Sequence, residues 1–474
     1  MIDTLSMLAL KVAPNIFDIS SQLVHVSMRD QIVRGRLLVR DLKRSTLKCD
    51  RILIVGAGIA GISAAAAAAA LGIEVLVVDT NPAPMALQAS VASRWVGPFM
   101  YEWPSIHSGN QDYPPSDSSL WDVPDHDTPT WSRTDPVPSS VLSADVRAWL
   151  TAYLAAVWKA PRKKPKFLMN VDASFVSNYV KNVFYPAGTN AVMFSGSPWP
   201  LGDHKPKSFD PDYILLAAGM GIEDIRLTPG GFMGVPFWSN DDLKSPAVQT
   251  QKTAVFGGGD GALQDVFRSL TIFEHPLSLM SQLQTGASGK ALQELIPGLT
   301  VIEQQSRLQG IWTMERNQWA LLDNKCADFA QQLALEPDAV GKIAAAIRPG
   351  GGRVHLFIRG DNFSKAYLLN RFVIHLIEQA MKVAPHAFGG KMTLKILRNV
   401  TATKSSTLPT KEISVHTRHS GKKPHVRRFE RFDRVVVRFG IVEGTVPGLQ
   451  MVSLTTSPPG QRTSLAQVPL PFVA

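Results

Sequence analysis

Three glycines define the first chemistry open to this chain. Gly56-Ala-Gly58-Ile-Ala-Gly61 follows the short apolar run Arg51-Ile-Leu-Ile-Val55 and leads into an alanine-rich stretch of high helical propensity. Strand, glycine turn and helix in that order form a cradle for a diphosphate. Gly56 permits a tight turn, Gly58 lets the backbone approach the phosphates, and Gly61 lets the helix lie close against the strand. Ile59 and Ala60 begin the helix, so their free N–H groups would face the anion. The next apolar run, Glu74-Val-Leu-Val-Val, ends in Asp79, 23 residues after Gly56. A carboxylate there accepts both hydroxyls of a ribose and disfavours a 2′-phosphate. These residues predict a dinucleotide site, and Asp79 suits a nicotinamide dinucleotide as well as a flavin one.

A second site of the same kind is signalled at Thr253-Ala-Val-Phe-Gly257-Gly-Gly259-Asp260-Gly261-Ala262, again an apolar run, a glycine turn and a helix start. Asp260 is unusual in such a turn, because a carboxylate repels phosphates unless it points to a ribose or caps a helix. The run Arg353-Val-His-Leu-Phe-Ile-Arg359 would be the second strand of this unit. Arg359 then stands where a guanidinium could grip a 2′-phosphate. Phe432 to Gly440 reads as a closing strand and glycine, mirroring Tyr213-Ile-Leu-Leu-Ala-Ala-Gly219.

Groups for acid–base work are sparse. Between residues 93 and 107, Arg94, Tyr101, Glu102 and His107 stand among Trp and Pro residues and are the substrate-side candidates. His275, His355 and His375 fall in helical or strand patterns and read as structural. No His/Asp/Glu spacing suggests a metal. Cys49 and Cys326 are far apart, which excludes a disulfide framework, a zinc cluster and Cys-x-x-Cys redox chemistry. The net charge of +10 is local, in runs at residues 34–44, 162–164 and 422–431. Such runs read as solvated faces; nucleic acid is not an expected partner, and a protein partner stays open.

The elements that must position these residues follow from periodicity. With 45% hydrophobic residues over 474 positions, the chain can bury a sizeable core, arranged in two connected domains. Residues 1–50 are expected to carry one amphipathic helix over Ser21–Leu42. Residues 51–250 form the first nucleotide-binding domain. Residues 251–450 form the second, with a helical insert at 263–348 capping the cleft, and 451–474 are an irregular tail. Ser143 is the expected N-cap of a helix, and strand-like pieces at Phe167–Val171, Ser174–Phe184 and Ala191–Phe194 precede the run at Tyr213. No apolar stretch reads as a membrane span and no secretory leader pattern is evident, so a cytoplasmic location is expected.

The glycine turn with its flanking strand and helix, Asp79, the strand-rich piece at 167–208, the Tyr213–Gly219 run and the second glycine turn together resemble the two-dinucleotide-binding-domain flavoprotein oxidoreductases. The resemblance implies an α/β fold: a Rossmann-like FAD/NAD(P)-binding domain with a β-meander, plus a second nucleotide-binding-like domain carrying the helical insert. It implies FAD in the first site, with Gly219 beside it, and NAD(P)H in the second. The activity it implies is that of an FAD-dependent oxidoreductase, a monooxygenase or oxidase on a small organic substrate. The lack of a cysteine pair argues against a disulfide reductase. An NAD-only dehydrogenase, and a nucleotide-binding sensor or interaction protein without turnover, stay open on the residues themselves.

Overall fold

The computed structural model describes residues 10–13, 15–19, 28–45, 48–97, 136–156, 162–180, 191–200, 207–219, 221–312, 318–364, 366–420 and 427–441, with a few isolated positions between them. The apolar runs of the first half become strands: β1 (Lys11–Ala13), β2 (Ile16–Asp18), β3 (Arg51–Val55), β4 (Glu74–Val78), β5 (Lys166–Met169), β6 (Ser197–Trp199) and β7 (Tyr213–Leu216). They form one sheet in the order β1-β2-β7-β3-β4-β5-β6. The five inner strands run parallel, and β1 and β6 close the edges antiparallel.

Both faces of this sheet are covered, which is why its strands read as continuous apolar runs. Ile52, Ile54, Val75, Val77 and Leu215 enter one core, and Leu53, Val55, Leu76, Val78 and Leu216 the other. Each such side chain contributes about 1.5–3 kcal/mol on burial. Helix α1 (Met28–Arg44) packs on α2 (Ile59–Ala70), whose residues from Ile59 to Ala69 are all buried. The two approach closely because Gly35 faces Ala60 and Ala64; a Cβ at Gly35 would lie 2.9 Å from the Ala60 carbonyl oxygen.

Three local expectations change. The N-terminal helix ends at Arg44 rather than Leu42; of the expected Ser21–Leu42, residues 21–27 lie outside the described residues. Helix α3 (Ser139–Ala155) starts before Ser143, which is buried within it and donates to the Met85 carbonyl at 3.0 Å. The strand expected from Ser174 is a short helix, Ala173–Asn178, because the Asp172 carboxylate caps the Ser174 and Phe175 N–H groups at 2.7 and 3.1 Å.

The second half repeats the plan. β8 (Lys252–Phe256), β9 (Arg353–Phe357) and β10 (Thr393–Leu397) are followed by the antiparallel sheet β11 (Val400–Thr407), β12 (Ile413–His419) and β13 (Arg427–Phe432), and then by β14 (Arg434–Val437). β10-β9-β8-β14 is all parallel, in the same order as β5-β4-β3-β7. After β8 comes α4 (Asp260–Leu270), and then the insert helices α5 (Pro276–Leu283), α6 (Gly286–Trp312), α7 (Gln318–Ala334) and α8 (Pro337–Ala346); α9 (Leu368–Val383) follows β9. The insert was expected as a cap over the cleft. Instead its apolar residues, among them Leu322, Cys326 and Leu333, join α4, α9, Val354 and Leu356 in one core on one face of the second sheet. No helix among the described residues is long and apolar enough to cross a membrane.

The turn after β3 shows how tight this arrangement is. A Cβ at Gly61 would overlap the Gly56 carbonyl oxygen, which is backbone and cannot turn aside. Gly61→Ala is therefore expected to lower unfolding stability by about 1–3 kcal/mol in chemical denaturation, and an unchanged midpoint would contradict that packing.

Candidate nucleotide sites

Each glycine of the first turn has its own physical reason, except one. Gly56 has φ 110°, and a Cβ there would overlap the Ala217 carbonyl oxygen. Gly61 is required by the Gly56 carbonyl. Gly58, the N-cap of α2, has an ordinary φ of −76°, and a Cβ on it would meet nothing within 4 Å. Among the described residues nothing crowds Gly58, so the backbone at the start of α2 is left bare. The α2 N-terminus has no side-chain cap and no acidic residue in its first turn. The N–H groups of Ile59 and Ala60 and the helix dipole there suit a diphosphate. Asp79 completes the cradle: its carboxylate accepts the Ala57 N–H at 2.6 Å and, through the other oxygen, the Asn81 N–H at 2.8 Å. Gly219 follows β7 with φ 92°.

The second turn superposes on this pattern bond by bond. The Gly56 N–H donates to Val78 at 2.8 Å, and that of Gly257 to Phe357 at 3.0 Å. Met85 N–H donates to Ala57, and Ser364 N–H to Gly258, both at 2.9 Å. Asp79 N–H reaches Leu168, and Ile358 N–H reaches Leu397, both at 3.0 Å. Gly257 has φ 142° under the Arg438 carbonyl, and Gly259 caps α4 with φ −97°, matching Gly58. Gly440 closes β14 with φ 89°, as Gly219 closes β7. Two correspondences follow. The residue in the place of Gly61 is Ala262, not Gly261, whose added Cβ would instead meet the Phe237 ring. The residue in the place of Asp79 is Ile358, 1% exposed, and Arg359 takes the place of Thr80. Arg359 is exposed, with its guanidinium 5.8 Å from the Phe439 ring centre.

The hydrogen bonds of Asp260 leave its own helix. Its carboxylate accepts the Tyr367 N–H and an Asn370 amide hydrogen, both at 2.8 Å, and so ties the start of α4 to the start of α9. The same loop is held from the insert: Asp323 on α7 accepts the Phe363 N–H at 3.2 Å and pairs with Arg371, which donates to the Phe363 and Ser364 carbonyls at 3.0 and 2.7 Å. Asp323 also meets His375 Nε2 at 3.0 Å. His355 lies 3.4 Å from Glu430, with burial pushing its imidazole down to about 4, and His275 contacts Ser278 and Trp95.

Arg94, expected on the substrate side, is instead buried in an ion cluster. Its side chain is 1% exposed and pairs with Asp241 at 2.9 Å and with Asp265, over the Phe237 ring. Arg268 meets Asp241 at 2.8 Å and Arg438 meets Asp265 at 2.8 Å, so three guanidiniums and two carboxylates lock the first unit to the second. Burial pushes the Asp265 carboxyl up, but Arg94 and Arg438 outweigh it and hold it below the usual carboxylate range. Tyr101, Glu102 and His107 lie outside the described residues.

Residues 51–156 match the family of FAD-dependent oxidoreductases. No curated protein matches the chain. Solved structures that resemble it include a bacillithiol disulfide reductase from Staphylococcus aureus (10% identity, 83% of this chain and 77% of that one, TM-score 0.37). Others are the cadaverine monooxygenase DfoA of Erwinia amylovora, solved with FAD (10%, 85% and 82%, 0.41), and a thioredoxin reductase from Lactococcus lactis (11%, 83% and 78%, 0.34).

Asp260 gives a pH test of the second turn. Burial raises its carboxyl from 3.8 to about 6, partly offset by Asn370 and Tyr367. A folded-state pKa above the unfolded one means that the stabilising contribution is complete below about 3.8 and is lost as pH rises through about 6. Asp260→Asn, neutral throughout, should therefore gain on the wild type in denaturant unfolding as pH climbs across that window. Parallel profiles for the two proteins would reject the buried, charge-averse setting of Asp260.

Proposed function

We propose that this FAD-dependent oxidoreductase holds its flavin dinucleotide on the Gly56–Gly61 turn and takes electrons from NADPH held on the Gly257–Ala262 turn, passing them to oxygen or a small organic substrate. The family match supports the flavin. The observation that carries the assignment is the bare start of α2, where Gly58 stands at an N-terminus with no side-chain cap and no acidic residue, beside the Asp79 carboxylate that holds the Ala57 amide. When bound, flavin and nicotinamide carry the two-electron chemistry between them. The residues of this chain bind and orient. Gly58 and the α2 N–H groups receive the diphosphate, and Asp79 receives the ribose hydroxyls while it fixes the Ala57 amide.

The preference for NADPH rests on the comparison between the two turns. Asp79 would accept a 2′-hydroxyl; Ile358 in the same place offers no acceptor, and the exposed Arg359 beside it offers a charged fork for a 2′-phosphate. Residues 1–50 extend the first unit in this reading, and 51–250 and 251–450 are its two nucleotide-binding domains.

The purified protein is expected to show flavin absorption and to release FAD on denaturation, and Gly58→Val to fold without it; a colourless wild type, even after incubation with FAD, would favour nicotinamide alone or a sensor. The double variant Ile358→Asp with Arg359→Thr copies the first turn into the second. Loss of the charge-assisted phosphate bonds, about 1.5–3 kcal/mol, should weaken NADPH by roughly ten- to a hundredfold and improve NADH. Equal changes for both nucleotides would remove Arg359 from the phosphate.

A further inference from the structure

The last basic run of the sequence leads into β13, and the outer face of the β11–β12–β13 sheet carries exposed cations on all three strands. Residues 391–431 contain eleven Lys and Arg against two Glu, which is nine of the ten net positive charges of the chain. The inner face of the sheet is core: Ile413, Val415 and Phe432 pack with Phe256 and Phe357. On the outer face, Lys404, His416 and Phe429 stand in one row across the three strands, and Arg431 lies opposite Ser414 in the next. Phe429 is 52% exposed in the middle of β13, an uncommon place for a bare ring in an edge strand. The His416 ring lies 4.9 Å from it and the Arg431 guanidinium 5.9 Å. Among the described residues, no carboxylate pairs with Lys404, Arg418, Arg428 or Arg431, and all four are exposed.

We propose that this face binds single-stranded nucleic acid, with a base stacked on Phe429 and phosphates on Lys404, Arg418 and Arg431. The argument is charge complementarity combined with an aromatic platform. Cations alone would serve any polyanion, but an exposed ring laid on a sheet and flanked by guanidiniums offers a surface for the face of a base. A membrane-inserting aromatic would be better placed at a loop tip than mid-strand, and a strand of alternating phosphates and bases matches guanidiniums set beside a flat ring on one sheet face. The site is separate from both dinucleotide turns. Glu430, on the inner side of β13, pairs at 2.8 Å with Lys252 at the start of β8, the end of that strand opposite Gly257.

Fluorescence anisotropy of the flavin-loaded protein with a labelled single-stranded RNA oligonucleotide tests this. Binding is expected to weaken as salt rises and to exceed that of the same sequence as a duplex. Phe429→Ala should weaken it by about tenfold, with flavin content unchanged, and Phe429→Trp should restore it. Arg431→Ala should flatten the salt dependence. The proposal is overturned if no oligonucleotide binds at low salt, if Phe429→Ala binds like the wild type, or if the duplex binds as tightly as the single strand. Polyglutamate or phosphatidylserine vesicles bound in preference to RNA would assign the face to a protein or a membrane and equally overturn it.

Discussion

The residue after β3 can only be a glycine, because the Ala217 carbonyl at the end of β7 occupies the space that a side chain would need. That carbonyl is not free to move: the Ala217 N–H is bonded to Val55 at 2.7 Å, and the strand behind it is buried on both faces. The same constraint recurs where Arg438, bonded to Phe256 at 2.8 Å, closes over Gly257. From this follow the reversal of the chain, the entry angle of each helix and the direction of its first N–H groups. Both glycine turns are thus consequences of how closing strands register against opening ones.

Against that shared backbone, the two units differ in where they place carboxylates. Asp79 sits at the strand end and supports the turn from the side, accepting from the Ala57 amide on one oxygen and from the Asn81 amide and side chain on the other. In the second unit the acid has moved into the turn, as Asp260, and is consumed by α9. The strand end is apolar. Asp323 and Arg371 then stabilise the loop that Asp79 and Asn81 stabilise in the first unit, so a helical insert supplies from a distance what one aspartate supplies locally.

Much of this was legible in the sequence. Both glycine turns, the strands around them and the helical insert follow from apolar periodicity and from glycine spacing, because those signals are local. What was not legible depends on which residues meet. Arg94 looked like a binding residue because it sits among aromatics; its carboxylates come from positions 241 and 265, which no local pattern connects to it. The segment from Ser174 reads as strand by composition, yet one capping aspartate makes it helical. Ala262 and Ile358 could have been found by aligning the halves on a repeat present in the sequence. Leu168-Met-Asn-Val171 recurs as Leu397-Arg-Asn-Val400, with both asparagines at φ 57°, and Asp212 stands seven before Gly219 as Asp433 does before Gly440.

The ion cluster around Asp265 also bears on how the chain can be divided. Arg94 finds both of its carboxylates, Asp241 and Asp265, far along the chain. A fragment that stops before residue 240 strands that guanidinium among apolar neighbours, and one that begins after it leaves Asp265 with a counter-ion missing. Breaking a buried pair of this kind costs about 3–5 kcal/mol, a large part of the roughly 5–15 kcal/mol that separates a folded chain from an unfolded one. The two halves share an architecture, and the Arg94–Asp265 and Arg268–Asp241 pairs tie them by buried charge, so neither half carries its full set of ion pairs without the other.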